Sequence, residues 1–412
     1  MPLGNPRFHL VETIDDVNAC LDWLSSQTGT HIGCDTESTG LSKIHDRVRL
    51  VQFGDLHDGW AIPIDRWWGL IAEIIDRWIR GGGRFVFHHA KFDIAMLRNH
   101  DINIPVHLCD DTMALAHIAD PGVSIGLKQQ SARHVDPRAA SMQGQLDEVM
   151  LTSGHTWATI PIQAEGTYAV YWIYACLDPI ITMHLWNHYQ YILKQAPKAY
   201  DLELSTFWIA DKMESRGVCV DRPYAEEKRT ELLGVFEACT KRGREEFGVD
   251  LSSKKQVIAR LERDKANLWK RTPSGNDWAL DKEALKGVDH PLVQLLQLRA
   301  RVEKLGSTYL RNFLDMSAHD GRIHASINTL GFKEGDASAF GVKTARMSMS
   351  EPNLQNLPRA DKSDPLSIIV RNCIVSSPGH SFLFFDLDQI ELRIMAHLSR
   401  DPGLIEALLA DD

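Results

Sequence analysis

The stretch His31-Ile32-Gly33-Cys34-Asp35-Thr36-Glu37-Ser38-Thr39-Gly40-Leu41 decides how the first half of the chain is read. Apolar and small residues lead up to Cys34, and two carboxylates then stand two positions apart. Side chains alternate across a strand, so Asp35 and Glu37 project from the same face. Two acids side by side repel unless a proton or a cation lies between them, and hydrated Mg²⁺ or Mn²⁺ is the usual cation. An Asp-x-Glu pair is equally what a solvated strand end looks like, so the surrounding chain has to decide.

Beyond it, Val48-Arg49-Leu50-Val51-Gln52-Phe53 alternates before Gly54-Asp55, and Trp60-Ala61-Ile62-Pro63-Ile64 is a second short apolar run. Residues 67–80 carry Leu70, Ile71, Ile74, Ile75 and Trp78 at helical spacing, stopped by Gly81-Gly82-Gly83, and Phe85-Val86-Phe87 starts another strand. The order β-β-β-α-β-α predicts an α/β domain with a mixed sheet. His88-His89-Ala90-Lys91-Phe92-Asp93 then places Asp93 in the first turn of a helix, where an acid also suits the helix dipole. Asp111 reads as the N-cap of the following helix. From Tyr168 to Asp178 runs an apolar-periodic helix that Pro179 is expected to kink. Tyr174 and Asp178 are four apart and share a face, and an inward Asp on so apolar a helix needs a partner, yet no cation lies near it in sequence.

The bulk numbers exclude several classes. A chain of 412 residues, 44% hydrophobic and 24% charged, has room for two or three globular domains. Seven scattered cysteines, none in a Cys-x-x-Cys pair, suggest neither a disulfide framework nor a zinc site and fit a reducing cytosol. Residues 1–30 lack a signal-peptide pattern, and no apolar run is long enough to span a membrane. A net charge of −10 rules out a uniformly basic coat but leaves room for a local basic face. Segment 241–271 is such a face, with ten Lys and Arg against five Asp and Glu; a solvated helix surface would read the same way.

Asp35-x-Glu37, Phe92-Asp93 and Tyr174-x-x-x-Asp178 resemble, in order and placement, the three exonuclease motifs of the DEDD superfamily in its tyrosine subclass, on a ribonuclease-H-like fold. The resemblance implies that Asp35, Glu37, Asp93 and Asp178 hold two Mg²⁺ or Mn²⁺ ions and that Tyr174 helps orient the attacking water. Two ions about 4 Å apart suit an in-line displacement at a phosphodiester. Leu41 matches the residue that packs against the terminal base of a single-stranded 3′ end. His89 stands where the family usually has a strand-contacting Asn.

Farther on, Leu202, Leu204, Phe207, Ile209 and Met213 predict a helix stopped at Gly217, Asp221-Arg222-Pro223 opens another, and Ser253-Lys254-Lys255-Gln256 spells a capping box. Leu292 to Phe313 predicts one long amphipathic helix after Pro291. This all-α stretch resembles the thumb of family A DNA polymerases, the DNA polymerase I group, which grips duplex through its backbone; Lys254 and Lys255 sit where cations would meet phosphates.

Gly321–Asn328 alternates like a strand. Phe382-Leu383-Phe384-Phe385 predicts a buried strand ending on Asp386, and Asp386-Leu387-Asp388-Gln389-Ile390-Glu391-Leu392-Arg393 continues into a helix. With Asn353-Leu354-Gln355-Asn356-Leu357-Pro358, this resembles the first palm motif of the same polymerases. The resemblance implies that Asp386 is a polymerase metal ligand and Glu391 excludes ribose. It places Arg346 at the primer terminus in the minor groove, and Asn353 and Gln355 near template and primer. Leu387 and Asp388 replace the family's Tyr and Ser.

The chain is thus expected to hold an α/β ribonuclease-H-like exonuclease domain with a mixed sheet (1–195), a helical thumb (196–320) and an incomplete α+β palm (321–412). The activity this implies is metal-dependent 3′–5′ proofreading on DNA in a bacterial or phage-infected cytosol, with an RNA-trimming exonuclease or a non-catalytic DNA-binding subunit as alternatives. Nothing resembling a 5′-nuclease domain precedes it. Only 19 residues follow Arg393, and none of the four His-Asp pairs is followed by Glu, so a fingers helix and second palm acid are not found. Use of deoxynucleotides is therefore expected only if a second polypeptide completes the palm.

Overall fold

Strand β1 (Arg7–Leu10) leads into helix α1 (Ile14–Ser26), whose start is fixed by a reciprocal cap between Thr13 and Asp16. The computed structural model of the chain describes residues 3–137, 141–330, 346–361 and 363–410. Then come β2 (His31–Ser38), β3 (Val48–Gly54), β4 (Asp58–Pro63), α2 (Ile64–Arg80), β5 (Arg84–Phe87), α3 (Ala90–Arg98), β6 (Cys109–Asp111) and α4 (Thr112–Ala119). The strands form one sheet in the order β1-β4-β3-β2-β5-β6. Strand β2 runs antiparallel to β3 and parallel to β5, so the sheet is mixed, as expected.

Helices α5 (Leu127–His134), α6 (Ser141–Ser153), α7 (Ala169–His188), α8 (Gln190–Gln195) and α9 (Pro197–Arg216) follow. On one face of the sheet, Ile32, Phe53 and Phe85 pack against Trp23, Ile71 and Ile74. On the other, α7 crosses β2, β3 and β4. Glycine makes that crossing close: a Cβ on Gly33 would collide with the Pro179 carbonyl, and one on Gly59 with the Cys176 carbonyl. The helix backbone therefore lies directly on the sheet, and Asp178 is delivered between those two points of approach. The helix continues through Pro179 to His188.

The chain packs as two compact units, residues 1–217 with 323–358, and 218–322 with 359–412. This differs from a division at 195 and 320, because α9 and the segment after residue 323 join the first unit. Lys91 shows why: its buried ammonium donates to Glu214 of α9 (2.6 Å) and to the Ile327 carbonyl (2.5 Å). Glu214 also accepts from Lys43 (2.6 Å) and from the Ile327 amide (2.5 Å). The alternation at 321–328 resolves into two short strands, β8 (Arg322–Ile323) and β9 (Ser326–Asn328), after the second unit's first elements. Strand β9 pairs with β10 (Ser348–Ser350).

The second unit opens with β7 (Val218–Val220) and α10 (Arg222–Phe247), capped by Asp221. Helix α11 (Lys254–Arg263) follows Ser253, which caps the Gln256 amide, but the expected capping box is only half made: the Gln256 side chain turns to the Asp250 amide (2.8 Å). The long helix expected after Pro291 is three pieces in continuous helix, α12 (Pro291–Glu303), a π-helical stretch (Lys304–Leu310) and α13 (Arg311–Met316). Gly306 lies in the π-helical stretch against Leu232 of α10. Then come α14 (Pro365–Asn372), β11 (Ile374–Val375), paired with β7, α15 (Ile390–Ser399) and α16 (Pro402–Ala410).

One expectation fails here. Phe382–Phe385 forms no strand and is not buried, with Phe384 89% and Phe385 90% exposed. A strand draws its hydrogen bonds and burial from neighbours, and among the described residues no strand pairs with this run.

Candidate active site

Strand β2 and helix α7 bring Asp35, Glu37 and Asp178 together, with one carboxylate oxygen from each lying within 4.8 Å of the others. Asp93, in the first turn of α3, joins from beside the strand: Thr36, pointing away from Asp35, donates its hydroxyl to Asp93 (2.7 Å). Helix α3 is aimed by Asp111, which accepts from the amides of His89 and Ala90 at the start of α3 and of Met113 and Ala114 at the start of α4. Asp111 is the N-cap expected and also serves a second helix. At the junction His89 adopts φ 92°, a left-handed backbone that a non-glycine side chain rarely takes.

The electrostatics follow from crowding four acids in a dry place. Burial, then the carboxylates of Asp93, Asp178 and Glu37, push Asp35 well above the carboxylate range. Burial and Asp178 raise Glu37 to about 8, and burial raises Asp93 to about 7. Asp178 is raised less, because burial is opposed by a cation that sequence reading missed, Lys128 of α5. Its ammonium bonds Asp178 and lies 4.0 Å from the centroid of the Tyr174 ring. Nothing in the chain's spacing announced it, since 50 residues separate Lys128 from Asp178. The Tyr174 hydroxyl donates to Gln143 of α6 (2.7 Å), also unforeseen. Gln52, directly opposite Asp35 in the β2–β3 register, is fully buried with both polar side-chain atoms unpartnered.

The donor set fits a hard divalent ion. It consists of carboxylate oxygens drawn close, with Lys128 the one cation bonded to them among the described residues, and with an orphaned amide opposite Asp35.

Other expected residues lie as follows. Leu41 is 86% exposed just beyond β2, so it is not a core residue. The His89 ring stacks on Phe92 and meets Phe207 edge-on, and burial lowers its pKa to about 3, leaving it neutral. Lys254 and Lys255 occupy the exposed first turn of α11 and make no ion pair among the described residues, whereas Arg242, Arg260 and Lys270 of the same basic segment pair with Glu246, Asp264 and Glu283. Asn353 caps a short turn at Gln355, whose side-chain amide donates to the Met347 carbonyl (3.0 Å), bringing the residues next to Arg346 up to Asn353 and Gln355. Asp386 and Glu391 are exposed, and Asp386 joins no group of three potential ligands among the described residues.

A mixed sheet whose inner strand supplies two acids, met by a third from a crossing helix and a fourth from beside the strand, defines a carboxylate-cluster α/β domain. Residues 8–194 match the 3′-5′ exonuclease family and residues 223–412 match DNA polymerase family A, so the chain carries both of these domains in succession. The DNA polymerase of Mycobacterium phage L5 is 26% identical over 97% of this chain and 67% of that protein. DNA polymerase I of Chloroflexus aurantiacus is 27% identical over 78% of the chain and 33% of its own length, and that of Helicobacter pylori 32% over 51% and 22%. The chain thus spans about two thirds or less of these relatives. A solved structure, the POL domain of Pol1 from M. smegmatis in complex with DNA primer-template and dNTP, superposes with a TM-score of 0.69 at 23% identity, covering 97% of this chain and 64% of that one. Among the described residues no helix is long and apolar enough to cross a membrane.

Proposed function

We propose that this chain is a divalent-metal-dependent 3′–5′ exonuclease that proofreads DNA, joined to the thumb (196–320) and first part of the palm (321–412) of a family A polymerase. The observation that carries it is the cluster of Asp35, Glu37 and Asp178 within the segment matching the exonuclease family. Asp35, Glu37, Asp93 and Asp178 would hold two Mg²⁺ or Mn²⁺ ions. Such ions, when bound, lower the pKa of water and steady the charge on a leaving 3′ oxygen.

The chain's own residues do the rest. Glu37, Asp93 and Asp178 are buried and Asp35 is half-buried, so the acids stand in a water-poor cleft where their attraction for cations is strong. Gln143 fixes the Tyr174 hydroxyl, and Tyr174 then orients the attacking water. Exposed Leu41 packs on the terminal base, and neutral His89 donates a hydrogen bond to the strand. Lys254 and Lys255 oppose the positive end of their own helix dipole, an arrangement that an approaching phosphate would relieve. In the polymerase segment Arg346, Asn353 and Gln355 meet primer and template, Asp386 serves as a metal ligand and Glu391 crowds the 2′ position.

The test is a labelled-end assay on single-stranded DNA, mismatched duplex and RNA, with and without Mg²⁺. Mg²⁺-dependent shortening of DNA from its 3′ end is expected. Shortening of RNA alone, or none with either metal, would overturn the proposal.

A further inference from the structure

We propose that Lys128 is an internal counter-ion of the carboxylate cluster, holding Asp178 while no divalent ion is bound and withdrawing when one binds. The proposal rests on the metal-dependent reading of the cluster. Its ammonium bonds Asp178 and lies over the Tyr174 ring, and the side chain is only 13% exposed. Among the described residues it makes no other ion pair. Helix α5 itself is held firmly: Gln130 reaches back to the Ser124 carbonyl and receives the Tyr189 hydroxyl. What can move is the four-carbon stem of Lys128, a compact charge on a flexible arm.

Charge balance gives the direction. Ionised to receive metal, the four carboxylates bring four negative charges, of which Lys128 offsets one. Two divalent ions would balance all four acids, leaving the ammonium beside like charges with its bond to Asp178 contested. The Tyr174 ring offers it a place off the carboxylates, since a cation is attracted to the ring face. Metal binding must therefore displace Lys128, and the lysine sets how much metal the site needs. Conversely, without metal the lysine is the one side-chain cation bonded to these acids among the described residues, and removing it takes away that bond to Asp178.

The experiment titrates Mn²⁺ into the full chain by calorimetry and melts the metal-free protein in parallel, for wild type, Lys128→Met, Lys128→Gln, Lys128→Arg and Asp178→Ala. The two neutral variants should bind Mn²⁺ about tenfold more tightly, the equivalent of one charge-assisted bond that no longer has to break. They should also melt at lower temperature without metal and recover with it. Lys128→Arg should keep the weaker, wild-type affinity. Wild-type affinity and melting in both neutral variants would overturn the counter-ion role and leave the metal site standing. If the wild type binds no more Mn²⁺ than Asp178→Ala, the metal reading falls and this inference with it. Neutral variants that stay unfolded with and without Mn²⁺ would make Lys128 purely structural and also overturn the proposal.

Discussion

Loading the cluster with metal should expel protons, and the number follows from the site. In the metal-free chain at pH 7, Glu37 with a pKa of about 8 and Asp93 with about 7 are still protonated to a large extent, and Asp35 lies higher than the carboxylate range altogether. By simple titration that is roughly nine tenths of a proton on Glu37 and about half on Asp93. Carboxylates bind metal deprotonated, so saturation with Mg²⁺ or Mn²⁺ at pH 7 should release about one and a half protons from Glu37 and Asp93 together. Calorimetric titration at pH 7 in buffers of different ionisation heat counts them directly, and the count should fall as the starting pH is raised to about 9. Stability follows the same linkage. Between about pH 4.5, where an unfolded Glu loses its proton, and about pH 8, where Glu37 does, the folded chain binds more protons than the unfolded one, so metal-free stability falls as pH rises. Added Mn²⁺ should abolish that fall. A proton count of zero, or one independent of pH, would refute the reasoning.

Asp35→Ala and Asp178→Ala should each lower 3′–5′ cleavage by about 10³-fold or more while DNA binding measured by anisotropy stays within a factor of a few, and Tyr174→Phe should lose much less. Gly59→Ala should push a methyl into the Cys176 carbonyl and destabilise the fold by about 2–4 kcal/mol, read as a lower urea midpoint with unchanged slope. Lys254→Glu with Lys255→Glu should weaken duplex binding alike at every sequence and flatten its dependence on salt by about one unit of slope for each phosphate no longer neutralised; an unchanged slope would return these lysines to an ordinary solvated surface.

Much of the site was legible because its signals are local. Asp35 and Glu37 share a face by strand alternation, Tyr174 and Asp178 by helical spacing, and Asp93 and Asp111 sit at helix starts that sequence punctuation marks. What was not legible depends on tertiary approach. Lys128 and Gln143 reach the cluster from helices with no spacing relation to it, and Gln52 is defined by a strand register. The half-made capping box at Ser253 shows a local rule losing to a competing partner, the Asp250 amide. Phe382–Phe385 shows the limit of composition: an apolar, aromatic run specifies a buried strand only where another strand pairs with it.

The ion-pair knot around Lys91 limits how the nuclease half can be excised for separate expression. A polypeptide cut at residue 195 would retain Lys91, buried two residues before Asp93, but lose Glu214 and the Ile327 carbonyl that satisfy it. Stranding a buried ammonium in this way typically costs about 3–5 kcal/mol, a large part of the roughly 5–15 kcal/mol that holds a domain folded. The smallest fragment that keeps Asp93 in position therefore extends through Arg216 and brings residues 323–328 with it, a portion assembled from two separate stretches of the chain.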